Sequence, residues 1–319
     1  MGSLNVKTMG HTSKLESDAG TFLKPTSPDN DTVIWGDGLP TPEFNNEVLG
    51  MLANSSMDEA PVAGGNQTLT LPDAMFFLQH SGGAGLTEPK NWKYMKAAGY
   101  KVVDNTQLAI VFNCQPSCNT LSTNVQMIDC AGTGYEYEGR GMKGNLVIGA
   151  DGANKPIICT LGGLQGAYVG KKAITGGGTL VVVGNDVTPR EVMARYVANI
   201  DSILYQVSVW SHDPQVEITY DIANNTSGIL TAKGTGKQQR VNMTVVQLSA
   251  GDSILETAQD HTINNIPITI IGGAGAGYDI TFSDCEILTA TLGDVDGTVG
   301  WEIQATTKKA IYQMKDLSV

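Results

Sequence analysis

A stretch near the C-terminus, residues 277–306, constrains the fold more than any other part of the sequence. It reads GYDITFSDCEILTATLGDVDGTVGWEIQAT, and its alternating apolar positions are Ile280, Phe282, Val299, Trp301, Ile303 and Ala305. Because side chains on a strand point alternately to its two faces, this pattern predicts two β-strands. The dipeptide Asp296-Gly297 between them is a strong signal for the tight turn of a hairpin, since that turn needs positive φ. The sequence therefore predicts a mainly β protein.

The overall composition is unusual in two respects. Only 16% of the 319 residues are charged, and 38 residues are glycine; a typical globular domain has about a quarter of its residues charged. Few charges and many turn-forming residues indicate a β-protein that covers much of its surface with partners, although a weakly charged monomer would have the same composition. A chain of this length can form one large or two modest domains.

The charge balance limits what the protein can bind. The formal net charge is −12, and the only adjacent basic pairs are Lys171-Lys172 and Lys308-Lys309. An acidic chain without a basic patch does not bind the phosphate backbone of nucleic acid by attraction.

No apolar run in the sequence approaches the roughly 18 residues of a membrane helix, and no apolar segment of a secretory signal is found near the N-terminus. We therefore expect no membrane association, and folding in a cytosol.

A repeated pattern indicates how the chain is organised. Residues 145–163 and 268–287 each run from a strand through a Gly-rich turn into a second strand that carries a cysteine. This similarity predicts that one β-unit occurs twice, with the Gly-rich residues 175–180 as the joint, although Gly-turn hairpins also resemble each other by chance. The predicted organisation is an extended N-terminal arm at 1–45, a first barrel or sandwich unit at 46–173 and a second at 174–319.

Local patterns predict two short helices among the strands. Residues 89–98 have Pro89 near the start, apolar side chains at helical spacing and Gly99 as a stop signal. A second helix is predicted at 253–261, so that each β-unit has a short flanking helix. Alternating or β-branched runs predict further strands at 68–71, 107–112, 216–222 and 241–245. Residues 192–200 fit either a helix or a strand, and their recurring Val and Tyr favour a strand.

No arrangement of residues predicts an active site. The sequence motifs of zinc proteases, serine hydrolases and phosphate-binding loops are absent. The glycines at 272–277 lead into a strand rather than a helix, which favours a turn over a nucleotide site. Asp294 and Asp296 lack the later Gly and Glu of a calcium loop, so we expect these carboxylates to serve the turn. We predict a protein that is not an enzyme and has no catalytic, cofactor-binding or metal-binding residues.

Histidine and cysteine form no metal-ligand pattern either. The four histidines are scattered, and each is expected at the surface or in a loop: His11, His80, His212 and His261. An odd number of cysteines without a secretory signal indicates free thiols. The five are Cys114, Cys118, Cys130, Cys159 and Cys285. Cys114 and Cys118 have no second pair at a zinc-site distance, which argues against zinc.

Three segments resemble the tail tube proteins, also called major tail proteins, of long non-contractile-tailed bacteriophages. Residues 278–303, YDITFSDCEILTATLGDVDGTVGWEI, are similar to that family's C-terminal hairpin of the form RVTFTAP…QLTSVSYGDRDG. Residues 138–168, EGRGMKGNLVIGADGANKPIICTLGGLQGAY, are similar to GCRGTVSL…AGEIPTLTFTFTGLY, and residues 96–100, KAAGY, to RACGF. The segments follow the family's order, while the arm and residues 180–265 match only loosely.

The resemblance implies a structural virion protein. Tail tube subunits form rings that stack into a hollow tube, through which the genome passes into the host cell. Strands from all subunits close into one β-barrel around the lumen. About 24 strands, spaced about 4.8 Å apart and tilted by about 40°, give a circumference of about 150 Å and a lumen of about 35–40 Å, wide enough for duplex DNA. An acidic lumen would repel the phosphates of the passing DNA.

The resemblance also implies partners and a location. The chain would associate with copies of itself, with a tape measure protein inside the tube during assembly, and with tail terminator and tail tip proteins at the ends. It would be made in the bacterial host cytoplasm and reside in the phage tail of the virion. A duplicated unit favours a homotrimer with pseudo-six-fold symmetry, and an unduplicated one a homohexamer. Residues 1–45 and 50–65 are candidates for reaching the next ring.

Two other classes of function compete with a tail tube. The first alternative is a β-sandwich binding module of a virion, such as a capsid decoration or receptor-binding protein. The second is an enzyme on a β-scaffold. A tube predicts more Asp and Glu than Lys and Arg on the strands that face the lumen. A binding module instead predicts aromatic side chains clustered on exposed loops, and aromatic residues make up only 6% of this chain.

Overall fold

The structure is a computed structural model in which the described residues form 21 strands and two short helices. It describes residues 9–25, 34–35, 38–45, 47–48, 62–63, 65–78, 91–105, 109–114, 119–129, 131–152, 155–175, 196–222, 228–236, 238–247, 254–259, 266–272, 278–295 and 297–315. This confirms the prediction of a mainly β protein. No helix in these ranges is long and apolar enough to cross a membrane.

Almost all of the elements along the chain are strands. Those before residue 175 are β1 (Met9–Leu15), β2 (Ile34–Trp35), β3 (Thr41–Phe44), β4 (Glu47–Val48), β5 (Val62–Ala63), β6 (Gln67–Thr70), β7 (Ala74–Phe77), α1 (Trp92–Ala97), β8 (Tyr100–Asn105), β9 (Ala109–Cys114), β10 (Leu121–Ile128), β11 (Gly134–Ala150) and β12 (Ile158–Ile174). Those after it are β13 (Tyr196–Ile200), β14 (Ile203–Asp213), β15 (Val216–Ile222), β16 (Ile229–Gly236), β17 (Gln239–Gln247), α2 (Ile254–Gln259), β18 (Ile266–Gly272), β19 (Tyr278–Val295), β20 (Thr298–Thr307) and β21 (Lys309–Lys315).

Six strands of the second half close into an antiparallel β-barrel. Their order is β13–β14–β17–β20–β19–β18, and β18 returns to pair with β13. A barrel this small has room only for side chains inside. Large side chains fill it and are at most 1% exposed, among them Tyr205, Trp210, Val241, Ile268 and Phe282. The apolar alternation of β17 and β19 therefore marks the side chains that form this core.

The first half builds an open sheet that continues into the barrel. Its central order is β1–β10–β11–β12, and β12 also pairs with β6 and β7. Among the described strands, two pairings join the halves: β11 pairs with β14, and β9 pairs with β21. Buried side chains from both halves belong to one hydrophobic core. The division at residues 173 and 174 stays a prediction, because the predicted joint, residues 175–180, lies almost entirely outside the described residues.

Several local predictions are confirmed. The helix predicted at 89–98 is present as α1, which buries Trp92 and Met95 and is followed by Gly99 with φ of 95°. The described part of the predicted helix 253–261 is α2. Strands β6, β9, β13, β15 and β17 lie within or overlap the five predicted strand segments.

The described start of the N-terminal arm packs on the rest of the chain. β1 pairs along its whole length with β10. Just after it, the buried carboxylate of Glu16 accepts hydrogen bonds from the hydroxyls of Thr120 and Ser122 and the backbone N–H groups of Gly20 and Gly141, at 2.5–2.8 Å. The sequence predicted an extended arm at 1–45, whereas residues 9–15 of it take part in the chain's own sheet. Removing the arm would therefore also expose the edge of β10.

Both segments with the repeated pattern form antiparallel hairpins. Residues 145–163 cover the end of β11 and the start of β12, and residues 268–287 cover β18 and the first half of β19. The cysteine of each second strand, Cys159 or Cys285, is buried and free. Only the second hairpin belongs to the closed barrel, so the duplication of a whole unit stays a prediction.

Candidate assembly surface on the barrel

The hairpin predicted near the C-terminus is present. β19 and β20 pair antiparallel up to Val295 and Thr298, so two residues of the sequence, 296 and 297, connect the strands. Gly297 has φ of 78°, the conformation for which glycine is favoured at this position. The Asp294 carboxylate accepts a hydrogen bond from the N–H of Gly297 at 2.7 Å. The expectation that Asp294 serves the turn is confirmed, while Asp296 lies outside the described residues.

The tip of this hairpin projects beyond the barrel. Trp301 and Ile303 point into the core and are at most 7% exposed. Val299 was expected on the same buried face, and this prediction is wrong, because Val299 is 69% exposed. Leu292, which pairs with Trp301 on the neighbouring strand, is 60% exposed. The cause is that pairing with β17 stops at Gly300, so no strand of the barrel covers the residues beyond it.

Four barrel strands, β14, β17, β20 and β19, share a polar outer face. Buried side chains on these strands alternate with ones that point away from the core. The side chains that alternate with the buried ones form three rows across the strands, which we call the outer face: Asp213, Arg240, Thr306 and Glu286; Ser211, Asn242, Gln304 and Thr289; Val209, Thr244, Glu302 and Thr291. Thr306 in the first row is itself buried, at 3% exposed. Eleven of the twelve are polar or charged. A shallow depression of about 280 Å³ lies over the second and third rows.

The charges on the outer face are mainly negative. It carries three carboxylates, from Asp213, Glu286 and Glu302, and one guanidinium, from Arg240, which lies directly opposite Asp213. Hydroxyls and amides make up most of the remainder. The shallow depression cannot bury the greater part of a small molecule, as ligand pockets do. The face is therefore suited to contact with water or with an extended partner.

The outer face ends at an unpaired strand edge. β18 pairs with β19 only as far as Cys285. From Glu286 to Val295, β20 occupies one edge of β19, and no strand among the described residues pairs with the other, which we call the β19 free edge. Leu288 beside it is 45% exposed. Such an edge is a template for pairing with another chain, and natural proteins usually cover or shorten it.

Two histidines are buried, against the prediction that each histidine lies at the surface or in a loop. His212 on β14 is fully buried, with Nδ1 2.6 Å from the Tyr312 hydroxyl and Nε2 2.9 Å from the Gln239 amide oxygen. Burial lowers the pKa of His212 to about 4, although the hydrogen bond with Gln239 and the charge of Asp213 act in the opposite direction. His212 is therefore neutral at pH 7 and joins three strands of the sheet.

His11 is the second buried histidine. It lies on β1 and is 6% exposed, and its ring lies within hydrogen-bonding distance of Ser13 and Tyr94. These contacts tie β1 to helix α1. His80 and His261 lie outside the described residues.

The thiols of the described chain are not reactive, and its described side chains do not form a metal-binding group. Burial raises the pKa of Cys159 beyond the usual range of a thiol and that of Cys285 to about 11. Cys114 ends β9, whereas Cys118 and Cys130 lie outside the described residues. Within the described ranges, no three His, Cys, Asp or Glu side chains are placed to hold a metal ion.

The sequence indicated part of this surface but not the whole. The alternation in β17 and in β20 was recognised, and it already separates Asn242 and Gln304 from their buried neighbours. The contribution of β14 was missed, although Ser211 and Asp213 alternate with the buried Trp210 and His212 in the same manner. Sequence alone could not show that the four strands lie side by side, because they come from separate parts of the chain.

No protein-family model matches this sequence. No curated protein shows significant similarity to it.

Proposed function

We propose that this chain is the structural subunit of a bacteriophage tail tube, which assembles into stacked rings around a channel for the genome. The observation that carries the proposal is the outer face, a polar four-strand surface with more acids than bases that ends at the β19 free edge. A free edge beside such a face favours a sheet that continues into another subunit. The resemblance of residues 278–303 to the family's hairpin supports the same reading.

The chemistry of the outer face fits a wall that DNA passes without binding. Proteins that hold duplex DNA offer Lys and Arg to the phosphates. Here the single Arg240 lies opposite Asp213, and Glu286 and Glu302 leave an excess of negative charge. Proteins that hold single strands offer aromatic side chains for stacking, and the outer face has none. Neither kind of nucleic-acid contact is favoured.

The proposed assembly has two possible symmetries. Four strands per chain reach about 24 strands in a ring of six chains. A ring of three chains, with pseudo-six-fold symmetry, needs a second four-strand face from residues 46–173. A tape measure protein would occupy the lumen during assembly, and tail terminator and tail tip proteins would close the ends. The protein would be assembled in the host cytoplasm and reside in the virion.

Electron microscopy of the purified full-length chain tests the proposal. A tail tube subunit gives rings or stacked tubes with a hollow centre. Discrete particles without a lumen at all protein concentrations would contradict it and favour the alternative, a β-sandwich binding module of the virion.

A pair of variants tests the role given to the outer face. Thr289→Lys with Thr291→Lys adds two positive charges to it, and tubes of this variant should retain short duplex DNA that wild-type tubes release. Thr219→Lys with Thr235→Lys adds the same charges to the separate hairpin β15–β16 and serves as the matched control. Equal DNA retention by both variants, measured by fluorescence anisotropy and co-sedimentation, would contradict a lumenal outer face.

A further inference from the structure

We propose that Lys24 and Asn124 of one chain become joined by an isopeptide bond, with Glu136 as the group that transfers the protons. Such a bond is an amide between the lysine amine and the carbonyl carbon of the asparagine side chain, and ammonia is released when it forms. The bond lies within a single subunit, so it forms whether or not subunits assemble.

One carboxylate contacts the amine and the amide at the same time. Glu136 Oε1 lies 3.2 Å from the Lys24 ammonium, and Glu136 Oε2 accepts a hydrogen bond from Nδ2 of Asn124 at 3.0 Å. A single carboxyl group therefore separates the two nitrogens. The reaction requires this arrangement, because the carboxylate must take a proton from the amine and give one to the leaving nitrogen.

The sheet and the segment after β1 position the three side chains. Asn124 on β10 lies two residues from the position opposite Glu136 on β11, so both side chains point to the same face of the sheet. The segment that carries Lys24 is fixed over β10, because the N–H of Leu23 donates a hydrogen bond to the Ser122 hydroxyl at 2.9 Å. The contact of Lys24 with Glu136 is thus set by the fold on both sides.

The amide and the carboxylate are shielded from water, whereas the amine is not. Asn124 is 4% exposed and Glu136 is 8% exposed. The Asn124 amide oxygen has no hydrogen-bond partner among the residues that the structure describes. The Lys24 side chain is 54% exposed, so it has room to rotate. Exclusion of water from the carbonyl carbon favours attack by the amine over hydrolysis.

Glu136 is in the form that accepts a proton. Burial acts to raise the pKa of Glu136, but the hydrogen bonds from Asn124 and Lys24 outweigh this effect, and the pKa lies below its usual value. The carboxylate is therefore ionised at neutral pH. It is a weak base for an ammonium group, but the bond has to form only once in each chain, so a slow proton transfer is sufficient.

The bond and proton changes balance without a co-reactant. The Lys24 ammonium gives a proton to Glu136, and rotation of the side chain brings the amine to the distance of about 3–3.5 Å from which it can attack the carbonyl carbon of Asn124. The new carbon–nitrogen bond forms, Glu136 passes its proton to Nδ2, and the bond between the carbon and Nδ2 breaks. The ammonia takes the remaining proton from the new amide and departs as ammonium. Nothing is oxidised or reduced, and the chain loses about 17 Da.

Two neighbouring side chains compete for the same roles. Gln126 Nε2 also donates to Glu136 Oε2, but at 3.4 Å, and Gln126 is less deeply buried than Asn124. The Lys172 ammonium contacts Glu138, at 2.7 Å. Lys24 and Asn124 are therefore the pair that Glu136 brings together.

The bond closes a long loop in the first half of the chain. Lys24 and Asn124 are about 100 residues apart in the sequence, and cross-links that close long loops restrict the unfolded chain most. The segment after β1 becomes covalently attached to β10. The described start of the N-terminal arm then cannot leave the sheet.

Mass spectrometry of the purified full-length chain tests the inference. The denatured chain should have a mass about 17 Da below that of its sequence, and fragmentation of a protease digest should show residues 24 and 124 in one cross-linked product. A chain of unmodified mass would overturn the inference. The same mass loss without a link would also overturn it, because an asparagine that closes on its own backbone releases ammonia too. A link to Gln126 instead would overturn the assignment of Asn124.

Three variants test the role of each group. Lys24→Arg keeps the positive charge but removes the amine, and Glu136→Gln keeps the shape but removes the proton acceptor, so both should have the full mass of their sequences. Lys172→Arg is the matched control and should keep the link. A link that persists in Lys24→Arg or Glu136→Gln, or one that disappears in Lys172→Arg, contradicts the roles given to these residues.

Discussion

Acidification should destabilise the barrel through His212. Burial lowers the pKa of His212 in the folded chain to about 4, while an unfolded histidine has a pKa of about 6.5. At pH values between these two pKa values, His212 binds more protons in the unfolded chain than in the folded one. Because stability rises with pH wherever the unfolded state binds more protons, the contribution is complete above about pH 7 and is lost as the pH falls towards 4.

The two pKa values set the size of the effect. At pH 5, protonation of His212 raises the statistical weight of the unfolded state by a factor of about 30 and that of the folded state by a factor of only about 1.1. Their ratio corresponds to about 2 kcal/mol of unfolding free energy at 25 °C. This is a large fraction of the stability of an ordinary domain, which is about 5–15 kcal/mol.

Urea unfolding of wild type and His212→Gln at pH 8 and pH 5 measures this effect. The glutamine is neutral at both pH values and can still form hydrogen bonds with Tyr312 and Gln239. The carboxylates titrate in both proteins, so their contribution cancels when the two pH differences are subtracted. We expect the wild type to lose about 2 kcal/mol more than the variant between pH 8 and pH 5. Equal losses would refute the assignment of His212 as a buried neutral side chain.

Three further predictions concern the turn, the arm and the thiols. Gly297→Val should cost about 1 kcal/mol because a β-branched residue is strained at positive φ, whereas Asp294→Asn, which keeps the acceptor oxygen, should leave the urea midpoint unchanged. Glu16→Ala should cost about 3 kcal/mol, since it leaves four buried donors without their acceptor, again measured by urea unfolding. Cys159 and Cys285 should remain unlabelled by maleimide in the folded chain and react in urea, because burial raises both pKa values.

Each of these predictions has a result that contradicts it. A urea midpoint for Gly297→Val equal to wild type would show that the turn does not need a glycine. An unfolding free energy for Glu16→Ala within about 1 kcal/mol of wild type would show that water replaces the lost acceptor. Mass spectrometry that finds label on Cys159 or Cys285 without urea would show that the barrel opens around them.

Local features of the chain could be predicted because they depend on neighbouring residues. The turn at Asp296-Gly297 and helix α1 are set by a few side chains and by glycines with positive φ, all within one short segment. The alternation of β17 likewise identified its buried face, which includes Val241 and Val245. In each case the physical cause, side-chain direction or backbone freedom, is contained in the segment itself.

The surface and the buried polar groups could not be predicted in the same manner. Val299 continues the alternation of β20, yet it is exposed because the neighbouring strand ends before it. His212 alternates correctly with outward residues, but its burial depends on Tyr312 and Gln239, which lie elsewhere in the sequence. The outer face requires the order of four strands, which the alternation of any one strand does not specify.

The pairing of β21 with β9 has a consequence for the order in which the protein forms. Ile311 pairs with Asn113, so strands about 200 residues apart in the chain become neighbours. Contacts between distant residues form slowly because a large loop must close first. During synthesis β9 has no second neighbour until β21 has left the ribosome. Completion of this part of the sheet is thereby delayed until β21 has been made, and chains that stop before β21 retain an open strand edge in the first half.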